Sequence, residues 1–284
     1  MKCLHNCKAP AKINLFLHIT GKRFDGYHFL QSAFQLINLE DTLHFNLRND
    51  NQILRKMKNV SISESEDLII KAVNVLKKYV LKKNFGVEII VEKKIPIGSG
   101  LGGASSNAAT TLIALNYLWN IGLSKSKLME LGLKLGADLP FFLHGQNAFV
   151  EGIGDKITPI NSIDFWFVIL YPNVVVSTSK IFSRLAITNY TKEINIKEYV
   201  NNPNLYLKND LEICTKKHYF EISEAIDFLS LYGKARISGS GSSVFITLKT
   251  EFEANEILKI IPKKWSAWKV KSLQKHPMAN LIQT

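Results

Sequence analysis

The stretch Pro96-Ile97-Gly98-Ser99-Gly100-Leu101-Gly102-Gly103-Ala104-Ser105-Ser106-Asn107 decides the fold of this 284-residue chain. Upstream of it, Gly86–Glu92 is rich in β-branched residues and predicts a strand. Downstream, apolar residues recur at the spacing of one helix face, namely Ala108, Leu112, Leu115 and Trp119. Glycines let the backbone approach a ligand closely, and the first turn of a helix offers unpaired N–H groups. The strand–loop–helix unit therefore predicts a phosphate-binding site.

Three other glycine-rich loops fit this stretch less well. The spacing Gly98-x-Gly100-x-x-Gly103 matches the Rossmann fingerprint, but the region roughly 20 residues further on contains neither a strand pattern nor an acidic residue. A P-loop ends in Gly-Lys-Ser/Thr, and the eukaryotic-type kinase loop is followed by catalytic and metal-binding tripeptides; the sequence has none of these. The remaining alternative is a turn that only packs a helix on a sheet, and the density of glycines favours phosphate binding over it.

Composition limits the function further. The chain is 46% hydrophobic with a net charge of +12, which is typical of a globular protein that binds anionic ligands. Only five of the 36 basic residues are arginine, which disfavours sequence-specific recognition of nucleic acid. No apolar run approaches the roughly 20 residues of a membrane span, and the first residues carry no apolar signal segment. The three cysteines fit a reducing compartment, so we expect a cytoplasmic protein without a cysteine metal site.

Single residues outside the glycine stretch have two interpretations each. Residues 9–19 alternate with period two, so Lys12 and Asn14 point the same way from one strand, yet a lysine there is usually a solvated edge charge. Tyr27 and His28 follow the turn signal Asp25-Gly26 and by themselves are more often packing residues. Asp138 precedes a proline in a helix start, where the ordinary role is an N-cap.

Strand and helix patterns alternate through the whole chain. Strands are predicted within 30–48 and over Phe165–Tyr171 and Val244–Leu248. The segment 46–66 is polar and turn-like, and the asparagine- and lysine-rich segment 188–208 predicts an excursion at the surface. Helices are predicted over Asp67–Leu81, from a Ser124 cap to Lys134, and over Glu221–Leu231 and Glu251–Ile261. A boundary near Pro159–Asn161 divides the chain into residues 1–160 and 161–284. Mixed elements in both parts predict an α+β or α/β chain of two domains.

Three separated motifs together resemble the signature of the GHMP kinases (galactokinase, homoserine, mevalonate and phosphomevalonate kinases). They are Pro10-Ala-Lys-Ile-Asn-Leu, the stretch Pro96–Ser106, and Ile237-Ser-Gly-Ser-Gly, and their order and spacing cover nearly the whole chain. Within that superfamily, Gly26-Tyr27-His28, Gly136-Ala-Asp138-Leu-Pro140-Phe and the Ser-Ser-Asn-Ala-Ala run are most similar to the members that act on a cytidine diphosphate-linked sugar alcohol.

This resemblance implies an α+β, two-domain GHMP kinase-like fold. The N-terminal domain would be an α/β domain of the ribosomal protein S5 domain 2-like type, the C-terminal domain a ferredoxin-like α+β domain, and the active site would lie between them. The implied activity is ATP-dependent phosphorylation of the 2-hydroxyl of the sugar alcohol, in the non-mevalonate route to isoprenoid precursors. ATP is a substrate, Mg²⁺ is expected with it, and the protein is expected to be a monomer or homodimer that binds neither nucleic acid nor membrane.

The resemblance also implies roles for individual residues. Lys12 and Asp138 would be catalytic, and Asn14, Tyr27, His28 and Phe182 would bind the acceptor, the last three around its cytosine. ATP would be bound by the following residues: Pro96, Ile97, Gly98, Ser99, Gly100, Leu101, Gly102, Gly103, Ala104, Ser105 and Ser106 at the phosphates, Gly239, Ser240 and Gly241 as a clamp within Gly239–Ser242, and Lys93 and Leu68 near the adenine. Ser106 could also offer its hydroxyl to the metal ion.

The chain departs from the family pattern at three positions. Ser99 and Ala104 stand where the loop usually has glycine, and Asp67 stands where asparagine is common. Ala104 is tolerable if its φ is negative, whereas the contribution of Asp67 to nucleotide binding is in doubt. Two alternatives stay open: a sister kinase acting on mevalonate or homoserine, and a basic nucleotide- or RNA-binding module, whose affinity would depend steeply on salt.

Overall fold

The computed structural model describes residues 2–58, 63–80, 85–161, 164–185 and 189–282. The elements follow one another as β1 (Cys3–Lys22), β2 (His28–Arg48), β3 (Ile53–Met57), α1 (Leu68–Lys77), β4 (Gly86–Glu92), α2 (Gly103–Leu118), α3 (Lys125–Leu133), α4 (Leu139–His144), β5 (Ala148–Gly152), β6 (Lys156–Pro159), β7 (Trp166–Tyr171), α5 (Thr178–Ser183), α6 (Ile196–Asn201), α7 (Glu212–His218), α8 (Phe220–Ser230), β8 (Arg236–Ile237), β9 (Val244–Leu248), α9 (Glu251–Ile260) and β10 (Ser266–Leu273). The predicted strands and helices are present, but the first helix ends at Lys77, before the predicted end at Leu81, which lies outside the described residues.

A long antiparallel hairpin organises the sheet. β1 and β2 pair from Cys3↔Asn46 to Lys22↔His28, and the predicted turn between them contains Gly26 with a φ of +91°. β2 also pairs with β4 and β5, and β3 joins β4 in parallel at the edge. Since β3 lies inside 46–66, the expectation that this segment is merely turn-like is wrong for its described part.

Helix α2 runs through the N-terminal core. Thirteen of its sixteen residues are buried, because α1, α4 and β1 all pack against it. The apolar spacing in the sequence predicts only one buried face for this helix, whereas the polar residues Thr110 and Thr111 are also fully buried. Packing on several sides fixes the position of α2, and the end of the glycine loop that leads into α2 is fixed with it.

A second antiparallel set of strands forms the C-terminal part. β10 pairs with β7, β7 with β9, and β9 with the short β8. β10 also reaches β2 through Ser272↔Ile37 and Leu273↔Leu36, so the two sets of strands are continuous. A cluster of buried residues from both parts lies at this junction, including Ala11, Ile13, Phe167 and Phe245. The division into residues 1–160 and 161–284 stays a prediction.

The segment after α5 is less peripheral than its polar composition suggests. Within 189–208, helix α6 places Tyr199 among Phe16 and Phe149, and Tyr199 is only 4% exposed. Leu17 donates its N–H to the carbonyl of Lys208, and Asp210 donates its N–H to the carbonyl of Leu17. The described part of the predicted surface segment is nevertheless mostly exposed, and Tyr199 is the one described residue of 189–208 that is buried in the core.

Among the described residues, no helix is both long enough and apolar enough to cross a bilayer.

Candidate active site

One cavity of about 890 Å³ collects most of the predicted site residues. Its wall includes most of the glycine stretch, Lys12, Asn14 and Asp138 from the N-terminal part, and Phe182, Gly239 and Ser240 from the C-terminal part. Tyr27, His28, Leu68 and Lys93 also line it. Residues separated by more than two hundred positions in the sequence thus face the same space.

The glycine stretch folds as a tight loop that only glycine can form at its key positions. Gly98, Gly100 and Gly102 have φ values of +63°, +77° and +72°. A Cβ on Gly100 would collide with the carbonyl oxygen of Ser238, so side chains are excluded by space as well as by φ. Helix α2 begins at Gly103, and its first N–H groups lie at the cavity. The predicted phosphate-binding geometry is therefore available.

Both departures within this loop are accommodated. The Ser99 hydroxyl donates a hydrogen bond to the carbonyl of Pro96 over 2.7 Å, which turns it away from the ligand space. Ala104 lies in the first turn of α2 with a negative φ and an exposed side chain. Neither residue obstructs the amides that a phosphate would meet.

Three predicted ATP-binding residues do not line the cavity. Leu101 is fully buried, and its carbonyl accepts the N–H of Lys12 over 3.0 Å. Ser106 is also fully buried, and its hydroxyl donates to the carbonyl of Pro10 over 2.6 Å, so it does not reach the space where a metal ion would lie. Gly241 faces away from the cavity, toward Ile222 and Thr215. All three hold the loops in place rather than facing a ligand.

The second glycine loop, Gly239–Ser242, is hydrogen-bonded to the first. Ser243 donates its N–H to the carbonyl of Ser99 over 2.9 Å, and the Ser238 hydroxyl donates to the carbonyl of Gly100 over 3.0 Å. Asn209 supports the second loop by donating its Nδ2 to the carbonyls of Ile237 and Gly239, over 3.0 and 2.8 Å. Sequence reasoning missed Asn209, because an asparagine in a polar segment carries no local signal.

Lys12 and Asp138 lie side by side on the cavity wall. The ammonium of Lys12 is 3.6 Å from Oδ2 of Asp138, and the two side chains are 4% and 33% exposed. Lys12 also donates a hydrogen bond to Oδ1 of Asn14 over 2.6 Å and lies over the ring of Phe34. A buried ammonium thus has two oxygen partners, while the carboxylate keeps an open side toward the cavity.

The ordinary interpretations of these two residues are both wrong. Lys12 is 3% exposed and is not a solvated edge charge. Asp138 stands at the N-cap position of α4, but its side chain makes no capping hydrogen bond. The carboxylate is therefore free of the helix end and turned toward Lys12 instead.

Aromatic residues form another part of the cavity wall. The rings of His28 and Phe182 lie 5.5 Å apart between centroids and are tilted by 33°. Burial, together with the positive charge of Lys22, lowers the pKa of His28, which favours a neutral imidazole with one donor and one acceptor nitrogen. Tyr27 is 65% exposed at the rim of the cavity. The group can receive a flat heteroaromatic ring by stacking and hydrogen bonding.

Two ion pairs flank the remaining side of the cavity. Lys93 is ion-paired with the fully buried Asp41, which was not predicted. Asp67 caps α1 by accepting the N–H of Ile69 over 2.8 Å, and its other oxygen lies 2.6 Å from Nε of Arg55. The carboxylate that replaces the more common asparagine thus has its charge balanced by Arg55.

Within the described ranges, no three histidine, cysteine or acidic side chains come together as a metal site. Mg²⁺ in kinases is held by one or two protein oxygens together with substrate phosphates, so it does not require such a cluster. Ser105 and Asp138 provide a hydroxyl and a carboxylate on the cavity wall. The oxygen chemistry of these residues fits a magnesium ion that arrives with a polyphosphate.

Comparison with known proteins gives two family matches that together span more than half of the chain. Residues 67–146 match the family model described as the GHMP kinases N terminal domain, and residues 192–267 match that described as GHMP kinases C terminal.

Full-length relatives are also found. The chain is 48% identical over 285 residues to the 4-diphosphocytidyl-2-C-methyl-D-erythritol kinase of Janthinobacterium sp. (strain Marseille), with 99% of each chain covered. It is 46% identical to the protein of the same name from Herminiimonas arsenicoxydans, again over 99% of each. A crystal structure of 4-(cytidine 5'-diphospho)-2C-methyl-D-erythritol kinase matches with a TM-score of 0.82 and 27% identity, covering 93% of this chain and 98% of that one. The predicted two-domain α+β fold class is confirmed by these matches.

Proposed function

The chain belongs to the GHMP kinases, and from this membership and the cavity we propose that it transfers a phosphoryl group from ATP to the 2-hydroxyl of 4-diphosphocytidyl-2-C-methyl-D-erythritol. The resemblance seen in the sequence motifs is thereby confirmed, and so is the expectation of a kinase. The names of the full-length relatives favour this acceptor over mevalonate and homoserine. The reaction belongs to the supply of isoprenoid precursors.

The observation that carries the proposal is the contact between Lys12 and Asp138 beside the two glycine loops. In phosphoryl transfer, positioning and charge stabilisation contribute most, since the transition state is loose. The acceptor hydroxyl would lie next to the carboxylate of Asp138, which takes its proton as the oxygen attacks the γ-phosphorus. The bond from that phosphorus to the β–γ bridging oxygen breaks, and ADP leaves with the electron pair.

Lys12 has two tasks in this scheme. Its ammonium orients the carboxylate of Asp138 from 3.6 Å, and it also faces the charge that develops on the transferred group. Asn14 fixes the ammonium by accepting its hydrogen bond and in turn donates Nδ2 to the hydroxyl of Ser32 over 3.0 Å. The position of Lys12 is therefore set before any substrate arrives.

The glycine loop and the first turn of α2 would bind the triphosphate through backbone N–H groups. Gly239 and Ser240 approach from the opposite side, and the hydroxyls of Ser240 and Thr178 lie 2.8 Å apart at the cavity. Mg²⁺ would neutralise charge on the phosphates when bound, and the Ser105 hydroxyl in the first turn of α2 would be an oxygen ligand for it.

The acceptor would occupy the end of the cavity that contains His28 and Phe182. A cytosine ring can stack on Phe182, while a neutral His28 can both donate and accept hydrogen bonds along the edge of the base. Mevalonate and homoserine have no aromatic ring that could stack on Phe182, so the pairing of His28 with Phe182 supports a cytidyl substrate.

The test is to offer the purified protein ATP and each acceptor in turn and to follow ADP release. We expect turnover with the cytidyl sugar alcohol, at least about 100-fold faster in kcat/KM than with mevalonate or homoserine, because an unfilled stacking site and unpaired polar groups weaken binding of the smaller acceptors. Equal or faster turnover of mevalonate or homoserine would refute the assignment of the acceptor. Tight RNA binding without any kinase activity would favour the binding-module alternative.

A cytoplasmic location, the absence of nucleic-acid binding and a monomeric or homodimeric state stay predictions. Gel filtration with light scattering, and an RNA titration at several salt concentrations, test the last two.

A further inference from the structure

Asp41 is a buried carboxylate for which the sequence motifs predict no role. It lies in β2 opposite Ala9 of β1 and is 0% exposed. Its Oδ1 accepts the N–H groups of Lys94 and Ile95 over 2.7 and 2.9 Å, and its Oδ2 is ion-paired with the ammonium of Lys93. Asp41 thus holds the backbone of Lys94 and Ile95, between β4 and the glycine loop, and also the side chain of Lys93 just before them.

This contact places Lys93 at the start of helix α2. Nζ of Lys93 lies 3.3 Å from the position that a Cβ would take on Gly103, the first residue of that helix. The N-terminal end of a helix carries partial positive charge and would repel an ammonium. Asp41 compensates this repulsion, and the lysine side chain, 15% exposed, lines the cavity.

The apolar residues Met57, Leu68 and Ile69 line the same cavity. A neutral purine ring is suited to apolar residues of this kind and gains little from a fixed ammonium group. A polyphosphate, in contrast, gains from an ammonium and helix N–H groups that converge on the same oxygens.

We propose that Lys93 binds the phosphate chain of the nucleotide, rather than its adenine end, and that Asp41 is the positioning residue that holds it there. This inference rests on the proposed function, because it assumes that the cavity binds ATP. The family resemblance places Lys93 near the adenine, whereas this proposal places it at the phosphates. It also assigns a function to Asp41, for which the sequence motifs predict none.

The first experiment compares competitors of ATP in the kinase assay for the wild type and Lys93→Met. Inorganic tripolyphosphate represents the phosphate chain, and adenosine represents the base and ribose. We expect Lys93→Met to weaken ATP and tripolyphosphate on the order of 10- to 100-fold, as for loss of a hydrogen bond to a charged group, and to change adenosine inhibition by less than about threefold. Lys56→Met is the control, since Lys56 is an exposed lysine on β3 paired with Glu88.

The second experiment is a double-mutant cycle with Asp41→Asn. Asparagine keeps an oxygen for the backbone N–H groups but loses the ion pair, so Lys93 is no longer held against the helix end. If Asp41 acts through Lys93, the double variant loses no more ATP affinity than Lys93→Met alone, and the two effects are not additive. Thermal melts of each variant confirm that it is folded.

Two results would overturn the inference. One is an equal loss of affinity for adenosine and ATP in Lys93→Met, which would return the lysine to the base. The other is full additivity in the cycle, which would make Asp41 a purely structural residue. A wild-type protein that neither binds ATP nor phosphorylates any acceptor would instead refute the proposed function, so the two failures are distinguishable.

Discussion

Replacing Asp138 by asparagine separates catalysis from binding and from stability. The two side chains have the same shape, and the Asp138 side chain makes no capping hydrogen bond to α4 that the change would break. Lys12 keeps its 2.6 Å hydrogen bond to Asn14, so the ammonium stays in place. The change removes the carboxylate that we propose takes the proton of the acceptor hydroxyl.

The magnitudes of these effects differ enough to be told apart. Losing a general base costs about 10² to 10⁴ in rate, which corresponds to about 2.7 to 5.4 kcal/mol in the barrier. Because Asp138 is one-third exposed, its pairing with Lys12 is partly screened by water, and such pairs contribute about 0–1 kcal/mol to stability. A folded variant with a large defect in kcat is therefore expected.

The assay measures ADP release in steady state, and titration calorimetry measures ATP binding without acceptor. We expect kcat for Asp138→Asn to fall at least about 100-fold, with the Kd for ATP changed by less than about threefold. Asp227→Asn is the matched control, because Asp227 is an exposed carboxylate on α8 that lies 3.8 Å from Lys216. A kcat within a factor of about three of the wild type would refute the role of Asp138.

Two further predictions concern the acceptor site and the stability of the fold. Phe182→Ala should raise KM for the cytidyl acceptor on the order of 10- to 100-fold, since stacking on a base contributes about 1–3 kcal/mol, and should leave KM for ATP nearly unchanged; equal shifts in both would contradict the stacking role. Complete burial lowers the pKa of His276 to about 3, so the folded protein keeps it neutral while the unfolded chain, with a pKa near 6.5, takes up a proton as the pH falls. The free energy of unfolding should therefore decrease by up to about 1.4 kcal/mol per pH unit from this residue below pH 6.5. Urea unfolding at pH 7 and pH 5 should show a smaller decrease for His276→Asn, and an identical decrease would exclude His276 as the cause.

The parts of the site that were predictable are those with a local pattern. The closely spaced glycines predict positive φ, which Gly98, Gly100 and Gly102 have, and the apolar spacing after them predicts a helix. The shape of the predicted phosphate loop can therefore be inferred from neighbouring residues alone. The shared direction of Lys12 and Asn14 follows from the period of a strand, and the structure joins them by a hydrogen bond. Each of these features depends on residues a few positions apart.

The parts that were not predictable depend on contacts between distant residues. Nothing near Lys12 indicates burial, because Phe34 lies over its ammonium from the other strand of the hairpin and Asp138 approaches from α4. Asp41 precedes Lys93 by 52 positions, so their ion pair has no signature in the sequence. Strand β3 was missed because Arg55 and Lys56 interrupt its apolar pattern at the edge of the sheet.

The position of Lys12 relative to Asp138 follows from the packing of α2. β1 lies on one side of this buried helix, and α4 lies against another. Gly102, at its N-cap, marks the meeting point, because a Cβ there would lie 2.9 Å from the ring of Phe142 on α4 and 3.2 Å from Cγ of Lys12 on β1. The glycine that forms the phosphate loop is therefore also the residue that lets the lysine and the α4 segment approach. In the proposed mechanism, phosphate binding and proton transfer would therefore depend on the same close approach at Gly102, where the loop, β1 and α4 meet.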